Sequence, residues 1–376
     1  MSSPHPSTPQ SSTSGEKIRL GILFGGRSAE HEVSLQSARN VLEALDKERY
    51  DVTLIGIDRD GRWYHDQQAQ WLLGQHNDEL KKLNAATPLL LQPGSTESQL
   101  VTAGHALPAL DVVFPVLHGT YGEDGAIQGL LRMAGIPFVG SGILGSAAGM
   151  DKDLMKRLLV QADIPTAPWV SCRSWEQAEF TADYVASQLG DYPWFVKPAN
   201  LGSSVGIHKI KGPEDFAAAV QDAFRYDHKI LVEKGLDCRE IECAVLGNEA
   251  PQVSVPGEIK VQAEFYSYEA KYIDAEGATL HIPAQLHPEL IEKIQAMALK
   301  TFQVLEAEGL ARVDCFLTPD GEVFMNEINT LPGFTRISMY PKLWEASGIG
   351  YRELLDRLID LALQRAQRER ELKTSF

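Results

Sequence analysis

The chain has 376 residues, 44% of them hydrophobic, a length that suggests two or three domains and is ample for buried cores. Its 35 basic against 51 acidic residues leave a formal net charge of −16, which argues against nucleic acid or an anionic membrane as the main partner, since both call for a basic surface. No run of about 18 apolar residues occurs, so no transmembrane helix is expected, and the ordinary apolar content excludes a disordered acidic chain.

Residues 1–15 are rich in Ser, Pro and Thr, lack the apolar stretch of a secretory signal, and read as a disordered tail. Residues 18–24 form an apolar run that ends in Gly25-Gly26. Val33, Ala38, Val41, Leu42 and Leu45 follow at helical spacing, and residues 52–57 make a second β-branched run. Strand, Gly-rich turn, helix and strand are a βαβ opening, so a parallel sheet is expected. Residues 60–109 show weak patterning and read as a small hairpin and loops. A buried strand over 111–117, a helix over 126–134 and a short strand over 137–140 complete an N-terminal unit of residues 16–145.

A second unit, 146–237, begins with a helix over 151–162 that carries Lys152, Lys156 and Arg157 on its polar faces. Strands are expected at 195–197 and 230–233, with a Pro-initiated helix over 213–224 between them. A third unit, 238–376, holds strands near 241–246 and 251–265. Its helix over 288–306 places Leu290, Ile291, Ile294, Met297, Ala298, Thr301, Phe302 and Leu305 on one stripe, a core face. Runs 311–317 and 322–328 pair across an Asp-Gly turn, and a last helix covers 350–371. Four cysteines without C-x-x-C spacing read as reduced thiols of a cytoplasmic protein, not as a disulfide framework or zinc site.

Several local patterns carry chemistry. Gly202-Ser203-Ser204-Val205-Gly206 follows Lys197 and could bring backbone N–H groups to phosphate oxygens, or could be a flexible hairpin tip; it is not a Walker A loop. Glu233-Lys234-Gly235-Leu236 and Glu240 suit a ribose, or form a solvated charge pair at a strand end. Arg312 and Asp314 alternate on one strand, and Glu327 and Asn329 on the next. Period two brings them to one side, where two carboxylates and a carboxamide suit Mg²⁺ shared with phosphates. A surface ladder of compensating charges is the alternative, and it accounts poorly for Asn329. His118 opens a Gly-dense loop directly after an apolar strand, where α/β sheets place ligands. The Gly25–Ser34 turn does not satisfy G-x-G-x-x-G, which excludes an NAD site.

Taken together, GGRSAEHEVSL (25–35), HGTYGEDGAIQG (118–129), MDK (150–152), VKPANLGSSVG (196–206), EFYSYEAKY (264–272), RVDCF (312–316) and NEINTLPG (326–333) resemble the D-alanine–D-alanine ligase family of the ATP-grasp superfamily. The resemblance runs from about residue 17 to 365. It implies an α/β fold of three domains, a three-domain ATP-grasp architecture with an N-terminal Rossmann-like (preATP-grasp) parallel sheet. ATP would lie between two antiparallel sheets, its phosphates held by Lys152 and Lys197, its adenine and ribose by Glu233, Lys234, Leu236 and Glu240. Asp314, Glu327 and Asn329 would bind two Mg²⁺ (or Mn²⁺). The first D-alanine would meet Glu30 and His118, and the second carboxylate Lys271 and Ser338. Arg312 and the Gly333 N–H would stabilise the oxyanion, and Glu30, Ser203 and Tyr272 would group near the entering amine. Residues 266–272 and the Gly202 loop are the candidate lids.

The family resemblance also implies a homodimer that acts on D-alanine and ATP and serves peptidoglycan synthesis. Relatives on the same scaffold make D-alanyl-D-lactate or D-alanyl-D-serine. Tyr272 favours the dipeptide, because a hydroxyl can orient an amine where a phenyl ring cannot. A catalytically dead nucleotide-binding protein is the third possibility; Lys197, Arg312, Asp314, Glu327 and Asn329 are all present and argue against it.

Overall fold

The segments Ile18–Gly25 and Tyr50–Ile57 are buried on both faces at their C-terminal halves, as parallel strands covered by helices must be. The computed structural model of the chain describes residues 16–74, 88–95, 98–102, 104–261 and 278–373. Strand β1 (Ile18–Gly25) pairs in parallel with β2 (Tyr50–Ile57), and β3 (Trp63–His65) runs antiparallel to β2. Next come β4 (Leu89–Leu91), β5 (Leu100–Thr102) and β6 (His105–Ala106), a small antiparallel sheet. Strand β7 (Val112–Val116) then returns to β1 in parallel, giving the order β3-β2-β1-β7. The parallel N-terminal sheet expected from the βαβ pattern is present.

The stretch 60–109 is more ordered than its composition suggests. It contains the helix Gln67–Gly74 and a three-stranded sheet rather than a hairpin and loops. A two-turn helix is too short for its period to stand out, and strands of two or three residues carry no alternation. Residues 137–140 differ in the opposite sense: only a parallel bridge, Val113 to Phe138, forms there.

Strands β8 (Trp169–Arg173), β9 (Trp194–Pro198), β10 (His208–Ile210) and β11 (Lys229–Lys234) build an antiparallel sheet ordered β10-β9-β11-β8. A larger antiparallel sheet holds β12 (Arg239–Gly247), β13 (Gln252–Val253), β14 (Gly257–Val261), β15 (Ala278–His281), β16 (Gly309–Leu317) and β17 (Val323–Asn329). Its order is β15-β14-β12-β16-β17, with β13 on β12. The helix Pro288–Val304 buries Ile294, Met297, Ala298, Thr301 and Phe302 against it, five members of the stripe read from the sequence. Cys172, Cys238, Cys243 and Cys315 are all free. Among the described residues no helix is long and apolar enough to cross a membrane.

The helix Lys152–Gln161 departs from expectation in a way that matters for the cleft. Asp151 caps its N-terminus by accepting the Leu154 N–H. Lys152 and Lys156, expected on polar faces, are buried with Met155 and Leu159; only Arg157 of the three cations is exposed.

The last helix, Tyr351–Arg370, ties the chain's end to its beginning. Leu354, Leu355, Leu358 and Ile359 share one core with Leu20, Ile22 and Phe24 of β1 and with Val112 and Phe114 of β7. Tyr50 donates to Asp356, and the buried Arg365 donates to the Gly140 and Phe138 carbonyls while its guanidinium lies 4.5 Å from the Phe138 ring centroid. Arg365→Ala strands both carbonyls in a dry interface and should cost about 2–4 kcal/mol. Arg365→Lys should recover only part, because one ammonium cannot reproduce the planar fork. Urea unfolding of the two variants beside wild type measures both effects; a change in the Ala variant below the error of the method would refute this role.

Candidate active site

The central sheet and the large C-terminal sheet face each other across a cleft of about 1350 Å³, with the ends of the N-terminal parallel strands closing one side. The cleft is lined by Glu30, His118, Lys152, Lys197, Ser203, Glu233, Lys234, Leu236, Glu240, Arg312, Asp314, Glu327, Asn329, Gly333 and Ser338. Residues from all three parts of the chain therefore meet on one surface. Lys271 and Tyr272, and the candidate lid 266–272, lie outside the described residues.

On the central wall, Glu233 is buried on β11. It lies 2.8 Å from the Lys156 ammonium and 2.9 Å from that of Lys197 on the neighbouring strand. Burial by itself would raise its carboxyl, but the two lysines outweigh burial and hold it at about 2. Burial pushes the Lys156 ammonium below its usual range despite Glu233. The Glu233 side chain is thus committed to fixing Lys197, rather than standing open toward a ribose. Lys152 donates to the Leu201 carbonyl at 2.5 Å and stands 3.7 Å from Glu327, so it bridges the Gly202 loop and the opposite wall. The Lys234 ammonium turns aside to the Asp191 carbonyl.

On the C-terminal wall, β16 and β17 pair Asp314 with Glu327 and Arg312 with Asn329, with a bulge after Asp314. Period two thus sets all four toward the cleft. Arg312 grips Asp314 through both oxygens, at 2.8 and 2.6 Å, and Asn329 donates to the same carboxylate at 3.1 Å. Glu242 on β12 stands 2.9 Å from the Arg312 Nε. Burial disfavours the guanidinium charge, but Asp314 and Glu242 more than offset it and hold the Arg312 pKa well above the ordinary value.

The N-terminal side is organised by buried hydroxyls. Glu30 precedes the helix His31–Ala44, and the Ser203 hydroxyl of the Gly-rich loop donates to its carboxylate. Ser203 and Ser204 sit at φ +53° and +59°, so the loop holds two non-glycine residues in the left-handed region. Gly119 sits at φ +71°, in the left-handed region that favours glycine, and a Cβ there would stand 2.4 Å from the Glu30 carboxylate. His118 is buried, and burial pushes its pKa down against the opposing influence of Glu30 and the Leu331 carbonyl. Its Nδ1 lies 2.9 Å from that carbonyl, which can only accept, so Nδ1 is assigned the proton and Nε2 accepts from Ser37 at 3.1 Å. The imidazole is therefore a neutral bracket joining the first helix to the Leu331–Phe334 turn. In that turn the Ser338 hydroxyl accepts from the Thr335 N–H, and Gly333 packs so close that a Cβ would stand 2.8 Å from it.

Sequence reasoning passed over Lys156, Glu242 and Glu123. Lys152, Met155, Lys156 and Leu159 follow i, i+3, i+4, i+7 spacing, a signal that Lys156 shares the buried face. Glu242 falls two residues after Glu240, on the same strand face. Glu123 belongs to the Gly-dense loop and faces the cleft, where burial and Glu30 push its carboxyl well above the usual range against the pull of Arg312.

Among the described residues no group of three or more His, Cys, Asp or Glu side chains could by itself hold a metal ion. Asp314, Glu327 and Asn329 fit a different arrangement, a hard cation that takes two carboxylates and a carboxamide and completes its shell with phosphate oxygens. The Arg312 grip on Asp314 must loosen for that.

Residues 19–141 match the family described as D-ala D-ala ligase N-terminus, and residues 158–360 match D-ala D-ala ligase C-terminus. The chain is 54% identical over 362 residues to a D-alanine–D-alanine ligase of Oceanobacillus iheyensis, covering 96% of this chain and 99% of that protein. It is 53% identical over 364 residues to D-alanine–D-alanine ligase A of Escherichia coli, covering 96% and 100%. Among solved structures, the D-alanine-D-alanine ligase from Coxiella burnetii superposes with a TM-score of 0.84 at 40% identity, over 95% of this chain and 97% of that one. The VanG D-Ala:D-Ser ligase from Enterococcus faecalis gives 0.83 at 35%, over 92% and 100%.

The buried Lys156–Glu233–Lys197 group makes stability depend on acid. A carboxyl held at about 2 when folded, against an ordinary 4.5, stabilises the fold fully above pH 4.5. That contribution, on the order of 3 kcal/mol, is lost as pH falls from 4.5 through 2. Glu233→Gln should be less stable at pH 7 but lose less stability between pH 5 and 2.5 than wild type. Denaturant unfolding across that range measures the slopes; parallel slopes would contradict the assignment.

Proposed function

The chain belongs to the D-alanine–D-alanine ligase family, and on that premise we infer that it is an ATP-dependent ligase joining two D-alanines through a D-alanyl phosphate. The observation that carries this reading is the convergence on one cleft of Lys152 and Lys197 from one wall, Arg312 from the other, and the Glu30–Ser203 pair from the N-terminal side. Triphosphate, carboxylate and ammonium need those three environments within one substrate's length. The Rossmann-like unit would bind the first amino acid, and the two antiparallel sheets would hold the nucleotide.

In this reading Lys152 and Lys197 hold the ATP phosphates, and Leu236 and Glu240 line the adenosine end. Glu30 takes the ammonium of the first D-alanine, whose carboxylate lies near His118. That carboxylate attacks the γ-phosphorus; the new O–P bond forms as the β,γ-bridging bond breaks and ADP departs. The unprotonated amine of the second D-alanine attacks the acyl carbon, phosphate leaves with the C–O bond electrons, and the proton that the nitrogen gives up is carried off on the departing phosphate. Arg312 and the Gly333 N–H stabilise the oxyanion between these events. Ser338 and Lys271 hold the second carboxylate, and Tyr272 joins Glu30 and Ser203 near the amine. Asp314, Glu327 and Asn329 would hold two Mg²⁺ or Mn²⁺, which supply neutralisation of phosphate charge.

The product would feed peptidoglycan precursor synthesis in the cytoplasm. A homodimer is supported by exposed Leu130, Met133, Ile143 and Leu144 on two neighbouring helices of the N-terminal region. Likeness to a D-Ala:D-Ser ligase supports a second nucleophile as an alternative, but identity above 50% to D-alanine–D-alanine ligases favours the dipeptide.

With D-alanine, ATP and Mg²⁺ the chain should release ADP and phosphate in step with D-alanyl-D-alanine. Mass analysis with D-lactate or D-serine competing should still find the dipeptide dominant at neutral pH. ADP release independent of D-alanine would refute the reading, and a dominant mixed product would transfer it to the alternative. Glu327→Gln should lower kcat on the order of 100-fold with an unchanged circular dichroism spectrum. Turnover near wild type at limiting Mg²⁺ would remove Glu327 from the metal site.

A further inference from the structure

Glu242 has no place in the roles assigned above, yet it is one of the more deeply buried carboxylates of the cleft, with its side chain 7% exposed. Strand register sets it directly opposite Asp314, which in turn is opposite Glu327, so three carboxylates stand in a row across β12, β16 and β17. Like charges directly opposite one another destabilise a sheet, and the next residue on that face of β12 is Ala244. Packing alone would be served better by an apolar side chain there.

What offsets the repulsion is Arg312. Its Nε–H donates to Asp314 Oδ1 at 2.8 Å, while Glu242 Oε2 stands 2.9 Å from the same nitrogen. One N–H is flanked by two carboxylates. Asp314 also takes the Nη2 contact at 2.6 Å, so the guanidinium is now turned to Asp314. A cation at Asp314 competes for those oxygens. An arginine only 20% exposed that lost the Asp314 carboxylate with no second one beside it would be costly and free to swing out of place.

We propose that Glu242 is a positioning residue that takes over the Arg312 Nε–H when Asp314 turns to a divalent cation, so that the guanidinium keeps its place in the cleft. The inference rests on the ligase reading. By accepting the guanidinium, Glu242 makes Asp314 easier to release, and it therefore tunes cation affinity without touching the cation. Among the described residues, Glu242→Gln leaves Asp314 as the one carboxylate in contact with the Arg312 Nε–H, and a cation must then break that pair without a second acceptor at hand.

The test is a Mn²⁺ titration in the presence of ADP, read from the paramagnetic resonance signal of free Mn²⁺. It is run on wild type, Glu242→Gln, Arg312→Ala and the double variant. Glu242→Gln should weaken Mn²⁺ binding about fivefold when Arg312 is present and less than about twofold when it is absent. Glu242→Asp keeps the charge but withdraws it from Nε, so it should also weaken binding in the Arg312 background, and it serves if the Gln variant does not fold. Equal weakening in both backgrounds, or none in either, overturns the proposal and leaves the ligase reading intact. A wild-type chain that neither binds Mn²⁺ with ADP nor releases ADP with D-alanine overturns the ligase reading and the proposal together.

Discussion

A charge removed from water must be answered by a charge within reach, and the cleft is assembled around that requirement. Glu233 is buried between two lysines, Arg312 between two carboxylates, and Lys152 between the Leu201 carbonyl and Glu327. Apart from Arg312–Asp314, two residues apart on β16, these pairings join elements that are distant in sequence. Helix Lys152–Gln161 is fastened to β9 and β11 through Glu233, and β12 to β16 through Arg312. The backbone supplies the walls; the ion pairs set where the cations of those walls stand.

This explains how an acidic chain can accommodate a polyanionic substrate. The net charge of −16 describes the molecule as a whole. At the cleft the acidic residues act on individual cations: Glu233 fixes Lys197, and Asp314 with Glu242 fixes Arg312. In the structure, carboxylates hold those cations; on the proposed reading a phosphate or a metal ion would enter by exchanging partners rather than by meeting a bare charge.

Much of this was legible in the sequence. Period-two alternation placed Arg312, Asp314, Glu327 and Asn329 on one side of a hairpin, and their strand register pairs them accordingly. The short apolar runs 18–24 and 52–57 announced β1 and β2, and a stripe at helical spacing announced Pro288–Val304. Short elements escaped, because two turns of Gln67–Gly74 or three residues of β4 do not complete enough periods to be seen. Lys156 was misplaced for a different reason. A lysine on a helix ordinarily faces water, and only the carboxylate of Glu233, 77 positions away, makes its burial tolerable. Tertiary pairing overrode residue type there, as it did for Glu242, and no local pattern carries the identity of a distant partner.

The last helix adds a consequence of another kind. Tyr50 and Asp356, joined by a hydrogen bond, are 306 residues apart, and Leu354 and Leu358 complete the same core as Leu20 and Ile22. On a ribosome, therefore, the N-terminal sheet emerges early with one apolar face lacking its permanent cover. That face stays incomplete until almost the whole chain has been made. Final closure of the N-terminal unit is a late, long-range event, and a truncated product ending before residue 351 would carry a sticky sheet rather than a smaller working enzyme.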